Sequence, residues 1–312
     1  MNEKDFSALR QKRRQEQEER RKQTRFLLLC SLAVVLIAAV VGMGVSHLLP
    51  QEKELAVSGE QVETIPVPQP EPKSEIPAAT EENDLLKLAV EAQGTEEKVC
   101  YLTFDDGPSR TVTPAILDAL KEQDVKATFF VLGRMLEGNG DIAKRAYEEG
   151  HLLAGHSYSH QYKELYASGE SFMAEVEKTN EMIYSITGEA PFRLFRFPGG
   201  SHNAGSYAAQ KQEYKQLLKK NGYYFADWNC LNGDAEGDGK RPAPQLLETI
   251  KKTAYGKNIV VLMHDATAKK ATAEALPSII TYLKEQGYVF KRLDEVRYWG
   301  GENKKPEPDL AL

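Results

Sequence analysis

Hydrophobic and polar positions divide the chain into stretches of different texture. Residues 26–45 read FLLLCSLAVVLIAAVVGMGV, without a charged side chain. A helix rises about 1.5 Å per residue, so such a run covers the roughly 30 Å hydrocarbon core of a bilayer. Residues 50–95 show no apolar period. There Pro66, Pro68, Pro70, Pro72 and Pro77 alternate with acids and small polar residues, which makes an extended, solvated spacer. Beyond it, short apolar runs alternate with amphipathic stretches. Strands are predicted over 98–104, 127–133, 152–154, 192–197, 223–229, 259–264 and 288–293. Helices fall between them, the clearest over 170–187, ended by Gly188, and over 113–123, 206–220, 244–255 and 272–286. About seven β-then-α units imply a parallel sheet, either open and doubly wound or closed into a barrel. No glycine-rich phosphate loop follows the first strand, which counts against a nucleotide-binding open sheet.

Charge orients the apolar run. Residues 1–25 hold nine Lys/Arg against five acids, all on its N-terminal side, which places the N-terminus in the cytoplasm. A cleaved signal peptide has a shorter apolar core of about 7–15 residues and a small-residue cleavage site. The following VSHLLP offers no such site, so a retained anchor is expected. The organisation expected is a basic cytoplasmic segment (1–25), a transmembrane anchor (26–49), a Pro/Glu-rich linker (50–95), a folded α/β domain (96–300) outside the membrane and a flexible tail (301–312). The net charge of −6 over 312 residues argues against a nucleic-acid partner. Three cysteines exclude a disulfide-dense scaffold and a four-cysteine zinc site. Cys100 and Cys230 are expected as buried free thiols rather than a bridge.

In α/β folds chemistry gathers at the C-terminal ends of the strands, and four polar clusters fall there. The first, TFDDGP, ends a strand with Asp105 and Asp106. Neighbours on extended backbone point to opposite sides, so the two acids can have different tasks, although Asp-Gly-Pro is also ordinary turn chemistry. The second, HSYSH, spaces His156 and His160 to share one face of a helical turn. With a carboxylate such as Asp106 they could hold catalytic zinc, or equally non-haem iron. The third, FRFPGG, offers Arg196 to orient a carboxylate and an open backbone N–H at Gly199, suited to an oxyanion. The fourth, VLMHD, carries His264. A lone histidine after an apolar strand is more often a core residue, and it gains weight only from the other clusters.

In this order the clusters resemble the polysaccharide deacetylase family, carbohydrate esterase family 4, over about 98–295. The resemblance implies a distorted, incomplete (β/α) barrel of about seven strands. It implies Asp106, His156 and His160 as ligands of one divalent metal: zinc first, with cobalt, manganese or iron as alternatives. It makes Asp105 the general base, held by Arg196, and His264 the general acid for the leaving amine. Gly199 N–H would join in stabilising the oxyanion and Leu262 would line the acetyl pocket. A fifth motif resembles WNCLNGD at 228–234, where Asp234 would orient and charge His264. Many members have an aspartate where Leu231 stands, a tryptophan where Ala235 stands and an aromatic where Gly199 stands, departures that bear on substrate range.

The function so implied is metal-dependent N-deacetylation of N-acetylglucosamine in a wall or surface glycan, peptidoglycan first, by a monomer held to the cell membrane by one helix. Chito-oligosaccharide, poly-N-acetylglucosamine and acetylxylan are the other substrates considered. From other classes come an inactive wall-binding module and a non-haem iron oxygenase, which shares the His₂-carboxylate set. Arg196 is expected to lower the pKa of Asp105, and Asp234 to raise that of His264.

Overall fold

The computed structural model describes residues 82–91, 97–202 and 205–296. The expected cytoplasmic segment, the anchor, most of the linker and the tail lie outside these residues. Among the described residues no helix is long and apolar enough to cross a membrane.

The strands are β1 (Lys98–Asp105), β2 (Thr128–Val131), β3 (Leu152–Gly155), β4 (Leu194–Phe195), β5 (Tyr224–Phe225), β6 (Cys230–Leu231), β7 (Asn258–His264) and β8 (Tyr288–Phe290). All pair in parallel, in the order β5-β4-β3-β2-β1-β7-β6. On one side of β1, β7 runs along its length from Val99 to Asp105. On the other side β2 takes Thr103–Asp105 and β8 takes Lys98–Cys100. The path ends at β5 and β6, which do not pair with each other among the described residues, so the barrel is incomplete, as the resemblance implied.

The helices are α1 (Leu85–Glu91), α2 (Val112–Glu122), α3 (Gly133–Glu148), α4 (Tyr162–Leu165), α5 (Gly169–Thr187), α6 (Ala208–Lys220), α7 (Ala243–Thr253) and α8 (Lys270–Glu285). Helix α5 begins where Ser168 accepts from Ser171 N–H and ends at left-handed Gly188 (φ 75°), so both of its boundaries are set by capping chemistry.

β1 is buried on both faces, as a central parallel strand must be. Cys100, Leu102 and Phe104 join the helix-side core with Ile116, Leu117, Ile279 and Leu283. Val99 and Tyr101 join the inner core with Phe130, Leu194 and Val260. The two-residue period carries the inner face on through Thr103 to Asp105, which delivers that carboxylate to the mouth of the barrel.

Two sequence expectations change. The stretch read as linker up to 95 contains α1, with Leu85 and Ala89 fully buried against the inner core. Asn83 Nδ2 donates to Tyr223 O (3.1 Å) and Asn258 Nδ2 donates to Ala89 O (2.7 Å). A helix of two turns beside an acid-rich spacer is too short for its apolar period to stand out. Of the strand expected over 223–229 only β5 (Tyr224–Phe225) forms, and the next strand, β6 (Cys230–Leu231), lies on the opposite edge of the sheet. Residues 226–229 span the opening between them. Ala226 N–H reaches Phe195 O (3.2 Å) and Asn229 N–H reaches Val260 O (3.2 Å).

If α1 belongs to the folded domain, Leu85→Ala removes a buried side chain that cannot be replaced by water without loss. The expected outcome is a destabilisation of about 2–5 kcal/mol, read by denaturant unfolding. A change below about 0.5 kcal/mol, the range of exposed sites, would mean that α1 does not pack as described.

Candidate active site

Asp105 ends β1 almost fully buried. Its Oδ1 accepts from Arg196 Nη1 at 2.9 Å. Burial raises its pKa, and the opposing charges of Arg196 and His264 offset this only in part. The expectation that Arg196 would set this carboxyl low is therefore corrected: desolvation outweighs the guanidinium.

Asp106 leaves the strand with a left-handed backbone, φ 75°. That turn separates it from Asp105 and aims it at the loop after β3. There Val131 O accepts from His156 N–H (2.9 Å) and Arg196 O lies 2.8 Å from His156 Nδ1. With the Nδ1 proton donated to that carbonyl, Nε2 is left as a free lone pair. Burial lowers the His156 pKa to about 3, which keeps the ring neutral and able to ligate.

The histidine pair does not share a helical turn, as its spacing predicted. The loop turns through left-handed Ser157 (φ 74°) and His160 (φ 57°). Ser157 Oγ accepts from His160 N–H at 3.0 Å. Glu175 of α5 braces the loop by accepting from Tyr158 N–H (3.2 Å), Ser159 N–H (3.1 Å) and Ser159 Oγ (2.5 Å).

Asp106 Oδ1 lies 3.6 Å from His156 Nε2 and 3.4 Å from His160 Nε2. That oxygen is buried without a hydrogen-bond partner. One ligand atom from each of the three side chains falls within 4.8 Å of the others. A buried carboxylate oxygen left unpaired beside two imidazole nitrogens is costly unless a cation satisfies all three. The residues fit a divalent ion with a His₂-carboxylate donor set.

His264 ends β7 in register with Asp105 on β1. Asp234 Oδ1 lies 2.8 Å from its Nδ1, and Asp234 Oδ2 accepts from His264 N–H (2.9 Å) and Thr272 Oγ1 (2.7 Å). Burial alone would lower the His264 pKa, but the bond and charge of Asp234 raise it to about 9. Leu262, two residues earlier on the same face, is half-buried, and Gly199 (φ 71°) follows β4 in the turn after Arg196. Of the nine residues singled out from the sequence, Leu262 lies within β7 and the other eight lie at or beyond strand ends.

Sequence reasoning missed three supports. Glu175 is one of several acids on an amphipathic helix, and no local signal separates it from the rest. Thr272 opens α8, far in sequence from the acid it serves. Asp265 is buried, its pKa pushed up to about 7 chiefly by burial. Its Oδ2 accepts from Thr113 Oγ1 (2.6 Å) and would lie 2.0 Å from a Cβ at Gly107. Glycine at 107 is what admits this close approach. Cys100 and Cys230 are buried and free, as expected.

A buried carboxylate and a histidine held protonated, facing one candidate metal centre, define a site for hydrolysis by acid–base chemistry. Residues 92–217 match the polysaccharide deacetylase family. A peptidoglycan-N-acetylglucosamine deacetylase of Bacillus cereus is 34% identical over 215 residues, which cover 66% of this chain and 75% of the relative. A peptidoglycan-N-acetylmuramic acid deacetylase of Bacillus subtilis, PdaA, is 31% identical over 65% of this chain and 73% of its own. The catalytic domain of a peptidoglycan N-acetylglucosamine deacetylase from Eubacterium rectale superposes with a TM-score of 0.60 at 31% identity, covering 68% of this chain and 95% of that one. The chain belongs to the polysaccharide deacetylase family.

Proposed function

We propose that this chain is a zinc-dependent N-deacetylase of N-acetylglucosamine units in peptidoglycan, anchored in the cell membrane by residues 26–49 with its catalytic domain outside. The observation that carries the chemistry is the division of the adjacent acids. Asp105 is tied to Arg196, and Asp106 is left facing His156 and His160.

A divalent ion held by Asp106, His156 and His160 would supply a Lewis acid that brings the pKa of water to about 7. Asp105 takes the proton of the water that attacks the acetyl carbon. Gly199 N–H donates to the oxygen that gains the negative charge. His264, kept protonated by Asp234, gives its proton to the nitrogen as the carbon–nitrogen bond breaks. The products are acetate and a free amine on the sugar. Leu262 lines the space for the acetyl methyl group. The names of the relatives support peptidoglycan as the polymer, and they divide between its two sugars. The uncharged run, its basic flank and the proline-rich spacer support an anchored enzyme reaching wall glycan.

The substrate is tested by acetate release from peptidoglycan, chito-oligosaccharide, poly-N-acetylglucosamine and acetylxylan. Release from peptidoglycan with new glucosamine is expected. New muramic acid amine would reassign the sugar, and release from acetylxylan alone would contradict the reading.

The pH dependence follows from His264. It must be protonated in the free enzyme, so kcat/KM falls as pH rises through its pKa of about 9. In Asp234→Asn the shape remains and the charge is lost. Burial then acts without its counterweight, so the basic limb moves to lower pH and the maximum falls. A pH–rate profile of both proteins at saturating zinc checks this, and an unmoved limb would remove Asp234 from its role.

A further inference from the structure

Lys211 lies on the amphipathic helix α6, yet only 4% of it is exposed. Among the described residues no carboxylate forms an ion pair with it. Its Nζ donates instead to Pro198 O (3.1 Å) and Gly200 O (2.7 Å). The rings of Tyr162 and Tyr166 stand 5.8 and 5.4 Å from the ammonium. Burial lowers the lysine pKa. The charge of Asp227 offsets that burial only in part, and a methionine or leucine there would avoid the penalty of burying a charge.

The two carbonyls it holds flank Gly199. Pro198 O and Gly199 N–H belong to one trans peptide, since the only cis bond among the described residues is Gly107–Pro108. In a trans peptide the C=O and the N–H point in opposite directions. Fixing the Pro198 oxygen against α6 therefore aims the Gly199 N–H away from α6. The neighbouring donors are already engaged: Gly200 N–H with Phe197 O (2.8 Å) and Ser201 N–H with Asp227 Oδ1 (2.8 Å). Among the described residues nothing takes the Gly199 N–H. A charge-assisted bond to the carbonyl of the same peptide also polarises it and strengthens its N–H as a donor.

We infer that Lys211 is a positioning residue for the oxyanion donor: its ammonium clamps the Pro198 and Gly200 carbonyls so that Gly199 N–H stands free and aimed at the substrate carbonyl. This rests on the deacetylase reading above. Because Lys211 is almost fully buried and spends its donors on backbone carbonyls, its loss should weaken the transition state and spare substrate binding.

The test is Lys211→Met in the full chain, loaded with zinc and assayed on the glycan that the wild type deacetylates. kcat should fall about tenfold to a hundredfold, with KM, zinc affinity and melting temperature near wild type. A phosphonamidate that mimics the tetrahedral oxyanion should lose affinity by the same factor as kcat. Lys211→Arg, which keeps charge and donors, should recover most of the rate. A folded Lys211→Met with unchanged kcat would overturn the inference, as would kcat, KM, zinc affinity and stability falling together. If Lys211→Met does not fold, Lys211→Gln replaces it and must show the same split. If neither folds, Lys211 serves stability and the inference is overturned. A wild type that releases no acetate would instead overturn the deacetylase reading, a separate outcome.

Discussion

One fully buried guanidinium ties the site together. Arg196, 0% exposed, donates from Nε to Ala226 O (2.9 Å), from Nη1 to Thr103 Oγ1 (2.6 Å) and Asp105 Oδ1 (2.9 Å), and from Nη2 to Asp227 O (3.2 Å). Its own carbonyl faces His156 Nδ1. Its guanidinium carbon lies 4.0 Å from the centre of the Phe130 ring. A buried charge persists only when its donors are satisfied and a counter-charge is near. Here meeting that requirement draws β1, the loop after β3, β4 and the segment between β5 and β6 to one point. The proposed base and one candidate metal ligand are thus oriented by the same residue, one through its side chain and the other through its backbone.

That arrangement gives two neighbouring acids separate environments. Strand alternation alone would put Asp106 in the helix-side core beside Phe104, where an ionised carboxylate has no partner. The left-handed turn at Asp106 takes it out of the strand, and the close packing of Asp265 on Gly107 accompanies the turn. Asp105 remains dry and paired, while Asp106 faces the imidazoles of His156 and His160. His264 is tuned in the opposite sense to His156: Asp234 holds its charge, and burial removes that of His156. Asp105, Asp106, His156 and His264 thus each stand in different surroundings, which suit them to different tasks.

The long strands were legible in the sequence because β1 and β7 are apolar on both faces, and α5 because its cap residues and period agree. The nine candidate residues could be picked out because they stand in dense motifs, eight of them at or beyond strand ends. What was hidden depends on distant partners. α1 shows as helix only against Tyr224 and Val260. Residues 223–229 look like one strand, but only Tyr224 and Phe225 pair before the chain crosses the opening in the barrel. The HSYSH spacing reads as a helical turn because i and i+4 share a face there, but Glu175 instead collects the loop's N–H groups. The sign of the Asp105 shift needed its burial as well as its partner.

The division of labour between Asp105 and Asp106 is most directly tested by zinc titration of Asp105→Asn and Asp106→Asn, with acetate release measured on the same samples. The account predicts that Asp105→Asn binds zinc like the wild type and loses the rate, whereas Asp106→Asn loses both. If Asp105→Asn also failed to bind zinc, or Asp106→Asn kept it, the separation of the two carboxylates by Arg196 and the histidine pair would be contradicted.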